Sequence, residues 1–316
     1  MNKRAKRWIA GSSSLLLLGN LMAYNHAGKF THYDPAVKRG AQEPMPKGML
    51  GMAGFILFGP DNGKPSSDLL PAVPYETVHF KGNEALEAWY IPARANQGTV
   101  LVFHGYMATK SAQLDKAYLL HEAGYNVLLT DFSGSGGSGG YTTTIGFKEG
   151  ADVLAAYNWT MQYHPHTNLV LMGTSMGAAA ITKCMNDHPT LPVAALVLEC
   201  PYGSLYEAVS NRLHVLHLPA FPLAAMMTFW GGVQNGFNGF EAAPAHFAKQ
   251  IKSPTLLMWG EKDNRVNRDE TEAVYQNLAG PKQLVVFPEA GHESYLTQYR
   301  SQWMAATFTF LEQWRR

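Results

Sequence analysis

Six short apolar runs recur along the chain, each followed by a stretch with helical patterning: Thr99–Phe103, Asn126–Phe132, Asn168–Gly173, Ala194–Glu199, Pro254–Trp259 and Gln283–Phe287. Their apolar residues are consecutive rather than alternating with polar ones. A strand of that texture is buried on both faces, which in a strand–helix series means a parallel sheet covered by helices on either side. Upstream, ETVHF and LEAWYIP flank Lys81 to Ala85 and predict a hairpin, bringing the sheet to eight strands. With 316 residues the chain is long enough for one large α/β domain. The one long interruption, about 201–253, holds LPAFPLAAMMTFW and the flexible-looking GGVQNGFNG; inserted above the strand ends, it predicts a cap.

The third run leads into Gly173-Thr174-Ser175-Met176-Gly177, a G-x-S-x-G pattern followed by alanines. On a sharp strand-to-helix turn, Ser175 would stand clear of the sheet, and side chains at 173 and 177 would collide with neighbouring backbone. The pattern alone is a weak signal, because small-residue turns also serve close packing. A nucleophilic serine needs a base, the base an orienting acid, and the developing oxyanion a pair of donors. In open α/β sheets such partners belong in the loops after the strands' carboxyl ends. Asp263 lies just past Pro254–Trp259 and His292 just past Gln283–Phe287, giving the order Ser175, Asp263, His292. Glu199, ending the strand next to that of Ser175, and Glu261 are rival acids. The turn His104-Gly105-Tyr106 offers the Tyr106 N–H as one oxyanion donor, with Gly105 allowing the sharp bend; the Met176 N–H at the following helix's start is the other. Because both donors are backbone groups, side-chain identity at 106 and 176 is expected to matter less than geometry.

Together GTSMG, HGY, GEKD and EAGH resemble the α/β-hydrolase superfamily, near its serine aminopeptidase-like and esterase-like members, over roughly Glu76 to the C-terminus. The resemblance implies Ser175 as nucleophile, His292 as base, Asp263 as acid, Tyr106 and Met176 as oxyanion donors, and no cofactor. It implies a substrate that is a small ester or a peptide. The apolar cap residues, Trp230 among them, point to short or medium acyl groups. Relatives often carry an arginine where this chain has Ser133, so an ionic tie steadying Asp131–Gly140 is expected to be missing.

Other readings are weaker. Gly134 to Gly139 matches G-x-G-x-x-G after a strand, but YTTT separates it from the next helix and no ribose-binding acid follows. His214 and His217 lack further ligands at matching spacing, and His164-Pro165-His166 reads as a polar helix end, so no metal is expected. A non-catalytic, anchored binding protein is the alternative from another class. Cys184 and Cys200 are read as two buried thiols. Lysine plus arginine (25) nearly balance aspartate plus glutamate (24), which gives no basic field for nucleic acid.

Four basic residues, Lys3, Arg4, Lys6 and Arg7, precede an uncharged stretch, Trp8 to Ala23. This predicts residues 1–27 as a signal peptide or an uncleaved membrane anchor, with export to a periplasm-like compartment and membrane contact through residues 8–23. Cuts after Ala23 or Ala27 would place Leu21 or Asn25 where a small residue is preferred. Residues 28–75, rich in proline, glycine and polar residues, read as a tether with one apolar patch, Gly48–Gly59, and 76–316 as the catalytic domain.

Overall fold

The computed structural model describes residues 3–41, 48–95, 97–165 and 168–315, with only the backbone course given for 3–15. His166 and the side chains of Lys3, Arg4, Lys6 and Arg7 lie outside the described residues. The strands are β1 Glu76–Lys81, β2 Ala85–Ile91, β3 Thr99–Phe103, β4 Asn126–Thr130, β5 Leu169–Thr174, β6 Ala195–Glu199, β7 Thr255–Gly260 and β8 Lys282–Phe287. The helices are α1 Lys3–Thr31, α2 Met49–Phe58, α3 Leu114–Glu122, α4 Glu149–Tyr163, α5 Met176–Asp187, α6 Leu205–Val215, α7 Leu223–Asn235, α8 Pro244–Phe247, α9 Arg268–Asn277, α10 Tyr295–Gln298 and α11 Arg300–Trp314.

The sheet has eight strands in the order β1-β2-β4-β3-β5-β6-β7-β8. β1 and β2 pair antiparallel and β2 joins β4 antiparallel, while β3 to β8 run parallel. This is the α/β-hydrolase architecture. Successive residues of one strand serve opposite cores. Val100 and Val102 pack with α3 and α11 on one face; Leu101 and Phe103 pack with α4 and α5 on the other. That two-sided burial is why the runs are apolar without alternation.

The insertion after β6 folds as α6 and α7, and the GGVQN stretch is the last turns of α7 rather than a flexible loop. The N-terminal segments are built onto this cap and onto the domain. Ala23 and Ala27 of α1 are buried, in a helix that packs along α7. Trp230 of α7 sits edge-on to Tyr24, with ring centroids 5.3 Å apart, and its Nε1 donates to Asn20 Oδ1 at 3.3 Å. The signal-or-anchor expectation finds no support: among the described residues no helix is long and apolar enough to cross a membrane.

Further along, the stretch expected as a tether makes defined hydrogen bonds to the domain. His32 forms a β-bridge with Thr142, and the Tyr33 N–H donates to Tyr141 O at 2.7 Å. Arg39 donates to Gly136 O and Lys64 to Ser138 O. Two cations from far upstream thus hold the Asp131–Gly140 loop. Ser133 itself donates its N–H to Asp152 Oδ2 at 2.9 Å and accepts from the Glu84 N–H at 3.2 Å.

Candidate active site

Strand register brings the site together. Thr174 pairs with Glu199, Glu199 with Met258, and Gly260 with Phe287, so Ser175, Asp263 and His292 all follow strand ends at one edge of the parallel sheet. Ser175 caps α5 in a left-handed backbone conformation, φ 53 and ψ −111. For a residue with a side chain this is strained, at a cost of roughly 1–3 kcal/mol that the surrounding packing must offset. Both flanking glycines are required. A Cβ at Gly173 would lie 2.5 Å from Gly177 C, and one at Gly177 would lie 2.5 Å from the Phe103 carbonyl oxygen of β3. The Ser175 N–H donates to Glu199 O at 2.8 Å, fixing the turn to the next strand.

His292 Nε2 is 3.2 Å from Ser175 Oγ, and its Nδ1 is 2.7 Å from Asp263 Oδ2. The other carboxylate oxygen of Asp263 accepts from the Arg265 N–H at 2.8 Å and the Val266 N–H at 3.0 Å. The acid is therefore oriented by its own loop and fully buried as a side chain. Burial pulls the His292 pKa down, while the neighbouring Cys200 sulfur and the hydrogen bond to Asp263 push it up; the net shift is upward. The imidazole then holds a proton more tightly than a free one, as suits a base flanked by a carboxylate.

Neither rival acid reaches His292. Glu199 is buried and fully engaged: Lys116 Nζ at 2.6 Å and Thr174 Oγ1 at 2.9 Å donate to Oε2, and Trp303 Nε1 at 2.7 Å donates to Oε1. Glu261 is exposed and paired with Arg268. This Lys116–Glu199 pair behind Thr174 was not legible as a unit, because its members are 83 residues apart.

A Cβ built on Gly105 lies 3.8 Å from Ser175 Cβ, placing the 105–106 turn beside the serine. It would make only ordinary contacts, with Thr174 O at 3.5 Å, so Gly105 is not demanded by space; the left-handed residue of this turn is Met107, φ 58. No described group accepts from the Tyr106 N–H, and the Met176 N–H opens α5, where helical N–H groups have no partner in their own helix. The Tyr106 side chain has a partner of its own, apart from the backbone N–H. The Tyr106 hydroxyl donates to Phe30 O at 2.8 Å and so ties α1 to the site. Burial pushes its pKa well above the ordinary value.

Above Ser175 and His292 lies a cavity of about 380 Å³. Its walls come from α1 (Met22, Ala23, Ala27, Phe30), from α2 (Met52, Phe55, Ile56) and from the cap (Leu205, Val209, Leu213, Met227). The cap supplies apolar wall as expected, but Trp230 faces α1 instead, and the exposed Phe221 and Phe229 do not line the cavity. Arg212 and Arg265 are also at its boundary, and no aspartate or glutamate is among the described lining residues.

Cys184 and Cys200 are both buried free thiols. Among the described residues, potential metal-ligating atoms converge at Cys200, Asp263 and His292, within 4.8 Å of one another. Both imidazole nitrogens there already have protein partners, Asp263 and Ser175. His214 and His217 belong to no such group.

The sequence profile of the prolyl oligopeptidase family matches residues 111–316, which include Ser175, Asp263 and His292. The uncharacterized protein YqkD of Bacillus subtilis is 25% identical over 72% of this chain and 75% of its own length. An esterase from Pyrococcus furiosus superposes with a TM-score of 0.66 at 24% identity, covering 79% of this chain and 96% of the esterase. An acylaminoacyl peptidase from Pyrococcus horikoshii superposes with a TM-score of 0.58 at 18% identity, over 78% of this chain and 42% of the peptidase. At these identities the structural likenesses establish the shared fold.

Proposed function

Because the chain belongs to the prolyl oligopeptidase family, we propose that it is a serine hydrolase cleaving carboxylic esters with short or medium apolar acyl groups. Ser175 Oγ attacks the ester carbonyl carbon while His292 Nε2 takes its proton. The tetrahedral oxyanion is held by the N–H groups of Tyr106 and Met176. Collapse breaks the ester C–O bond, and His292 returns the proton to the departing alkoxide, leaving an acyl-serine. Water, deprotonated by His292, then attacks the acyl carbon and releases the carboxylic acid and free Ser175. Asp263 keeps the imidazole in the tautomer that presents Nε2 to Ser175 and stabilises its charged form. Each oxyanion donor is worth about 3–4 kcal/mol of transition-state stabilisation. No cofactor enters these steps.

The observation that carries this reading is the Ser175–His292–Asp263 hydrogen-bonded chain opening into an apolar cavity of about 380 Å³. That volume falls within the usual range of small-molecule sites. An aminopeptidase would need a carboxylate to receive the substrate's ammonium group, and none is among the described lining residues. A non-catalytic binding role would have no use for a strained serine aligned on an imidazole.

Hydrolysis of p-nitrophenyl esters from acetate to decanoate, compared with alanyl p-nitroanilide, tests it. The expected result is faster ester cleavage peaking at short or medium chains, with Ser175→Ala losing about 10⁶-fold in kcat. Faster turnover of the anilide would transfer the assignment to peptide or amide substrates.

A further inference from the structure

The cavity wall is mostly apolar, and its two arginines are Arg212 and Arg265. Arg212, on α6, and Arg265, two residues after Asp263, both stand at the boundary of the space that Ser175 and His292 line. Asn211 Nδ2 donates to Arg265 O at 3.0 Å, which holds the start of this loop against α6 and keeps the two arginines on adjoining walls. Neither guanidinium forms an ion pair with a carboxylate among the described residues, whereas the buried Lys110 is paired with Glu87 and Asp131 and the buried Lys116 with Glu199. Both arginines remain reachable from solvent.

The two arginines carry like charges at the boundary of one cavity, and neither forms an ion pair among the described residues. Partial burial and the Arg265 charge hold the Arg212 pKa below its ordinary value. Guanidinium groups are suited to planar, two-point recognition of carboxylate and phosphate oxygens, and an anion between them would relieve the repulsion. Most of the remaining lining is hydrocarbon from α1, α2 and the cap, so the space fits a molecule with an apolar chain and one negative end.

We propose that Arg212 and Arg265 form a subsite for the anionic group, a carboxylate or a phosphate monoester, of an amphiphilic ester whose apolar chain occupies the cavity above Ser175. This rests on the serine-hydrolase reading and narrows its substrate class. It also accounts for the missing carboxylate: the site repels a free ammonium rather than receiving one.

The test uses the full-length chain and four decanoyl esters that differ only in the alcohol: glycerol 3-phosphate, glycolate, glycerol and choline. The anionic esters are expected to exceed the glycerol ester in kcat/KM by about tenfold or more, mainly through KM, with the choline ester slowest. Preference for phosphate alone or carboxylate alone identifies which anion is bound. The ratio of anionic to neutral ester should fall in Arg212→Ala and in Arg265→Ala, approach one in the double variant, and be partly restored by lysine at either position. Rising salt should reduce it. Equal kcat/KM for anionic and neutral esters, or a ratio that survives the double substitution, would overturn the subsite and leave the hydrolase reading standing. If a neutral fluorophosphonate fails to label Ser175 and no ester is cleaved, the hydrolase reading fails and the subsite with it.

Discussion

The Tyr106 hydroxyl donates a hydrogen bond to the Phe30 carbonyl at 2.8 Å, joining the turn beside Ser175 to the last residues of α1. The N-terminal helix is thereby part of the cavity above Ser175, since Met22, Ala23, Ala27 and Phe30 line it. Tyr106→Phe removes this bond and leaves the Phe30 carbonyl without it. The expected effects are a loss of about 1 kcal/mol in stability and a raised KM for longer acyl chains, with kcat for acetate esters little changed. Removing residues 1–27 should produce a larger version of the same chain-length effect. Steady-state kinetics over an acyl series measure both, and unchanged KM values across that series would separate α1 from substrate binding.

Behind the serine, Lys116 and Glu199 form a buried pair at 2.6 Å, and Glu199 also receives Thr174 and Trp303. Removing one member strands the other charge away from water. Lys116→Met is expected to cost about 3–5 kcal/mol, read as a lowered midpoint in urea unfolding. Glu199 belongs to this support and not to the acid role, so retained solubility with slowed catalysis is the signature sought in a milder Glu199→Gln variant. A Glu199→Gln enzyme that lost orientation of His292 while Asp263→Asn kept it would reverse the assignment of the acid.

The pH profile follows from the upward shift of His292. The base must be neutral to accept the Ser175 proton, so kcat/KM should rise with pH through an apparent pKa above the ordinary histidine value of about 6.5. Asp263 is one of the groups that raise it. Asp263→Asn should therefore move the ascending limb toward lower pH while reducing kcat by about 10⁴-fold. The stability linkage has its own sign. A folded-state pKa raised above the unfolded one contributes stability that is fully present below about 6.5 and lost as pH rises through the folded value. Thermal melts of wild type and Asp263→Asn across that window should converge at the alkaline end.

The sheet and the serine–histidine–acid set were legible because they follow from local chemistry. Each parallel strand is a continuous apolar run, and Asp263 and His292 follow directly on two of those runs. The cavity was not legible, because about a third of its wall is supplied from the other end of the chain. Ala23 and Ala27 look like cleavage-site residues, yet their smallness serves close packing: a Cβ at Gly231 would lie 3.9 Å from Ala27 Cβ. Leu16, Leu17 and Leu18 of α1 are exposed, while Ala23 and Ala27 later in the helix are buried. The hold on the Asp131–Gly140 loop was hidden in the same way. Arg39 reaches the Gly136 carbonyl across 97 residues of sequence, a relation that no local pattern carries.

The central claim, that Ser175 is a nucleophile activated by His292, is tested most directly by labelling the full-length protein with a fluorophosphonate and locating the adduct by mass spectrometry. The expected result is one phosphonyl group on Ser175, absent in Ser175→Ala and strongly slowed in His292→Ala. A folded protein that takes no label, or carries it on another residue with Ser175 unmodified, would contradict the claim.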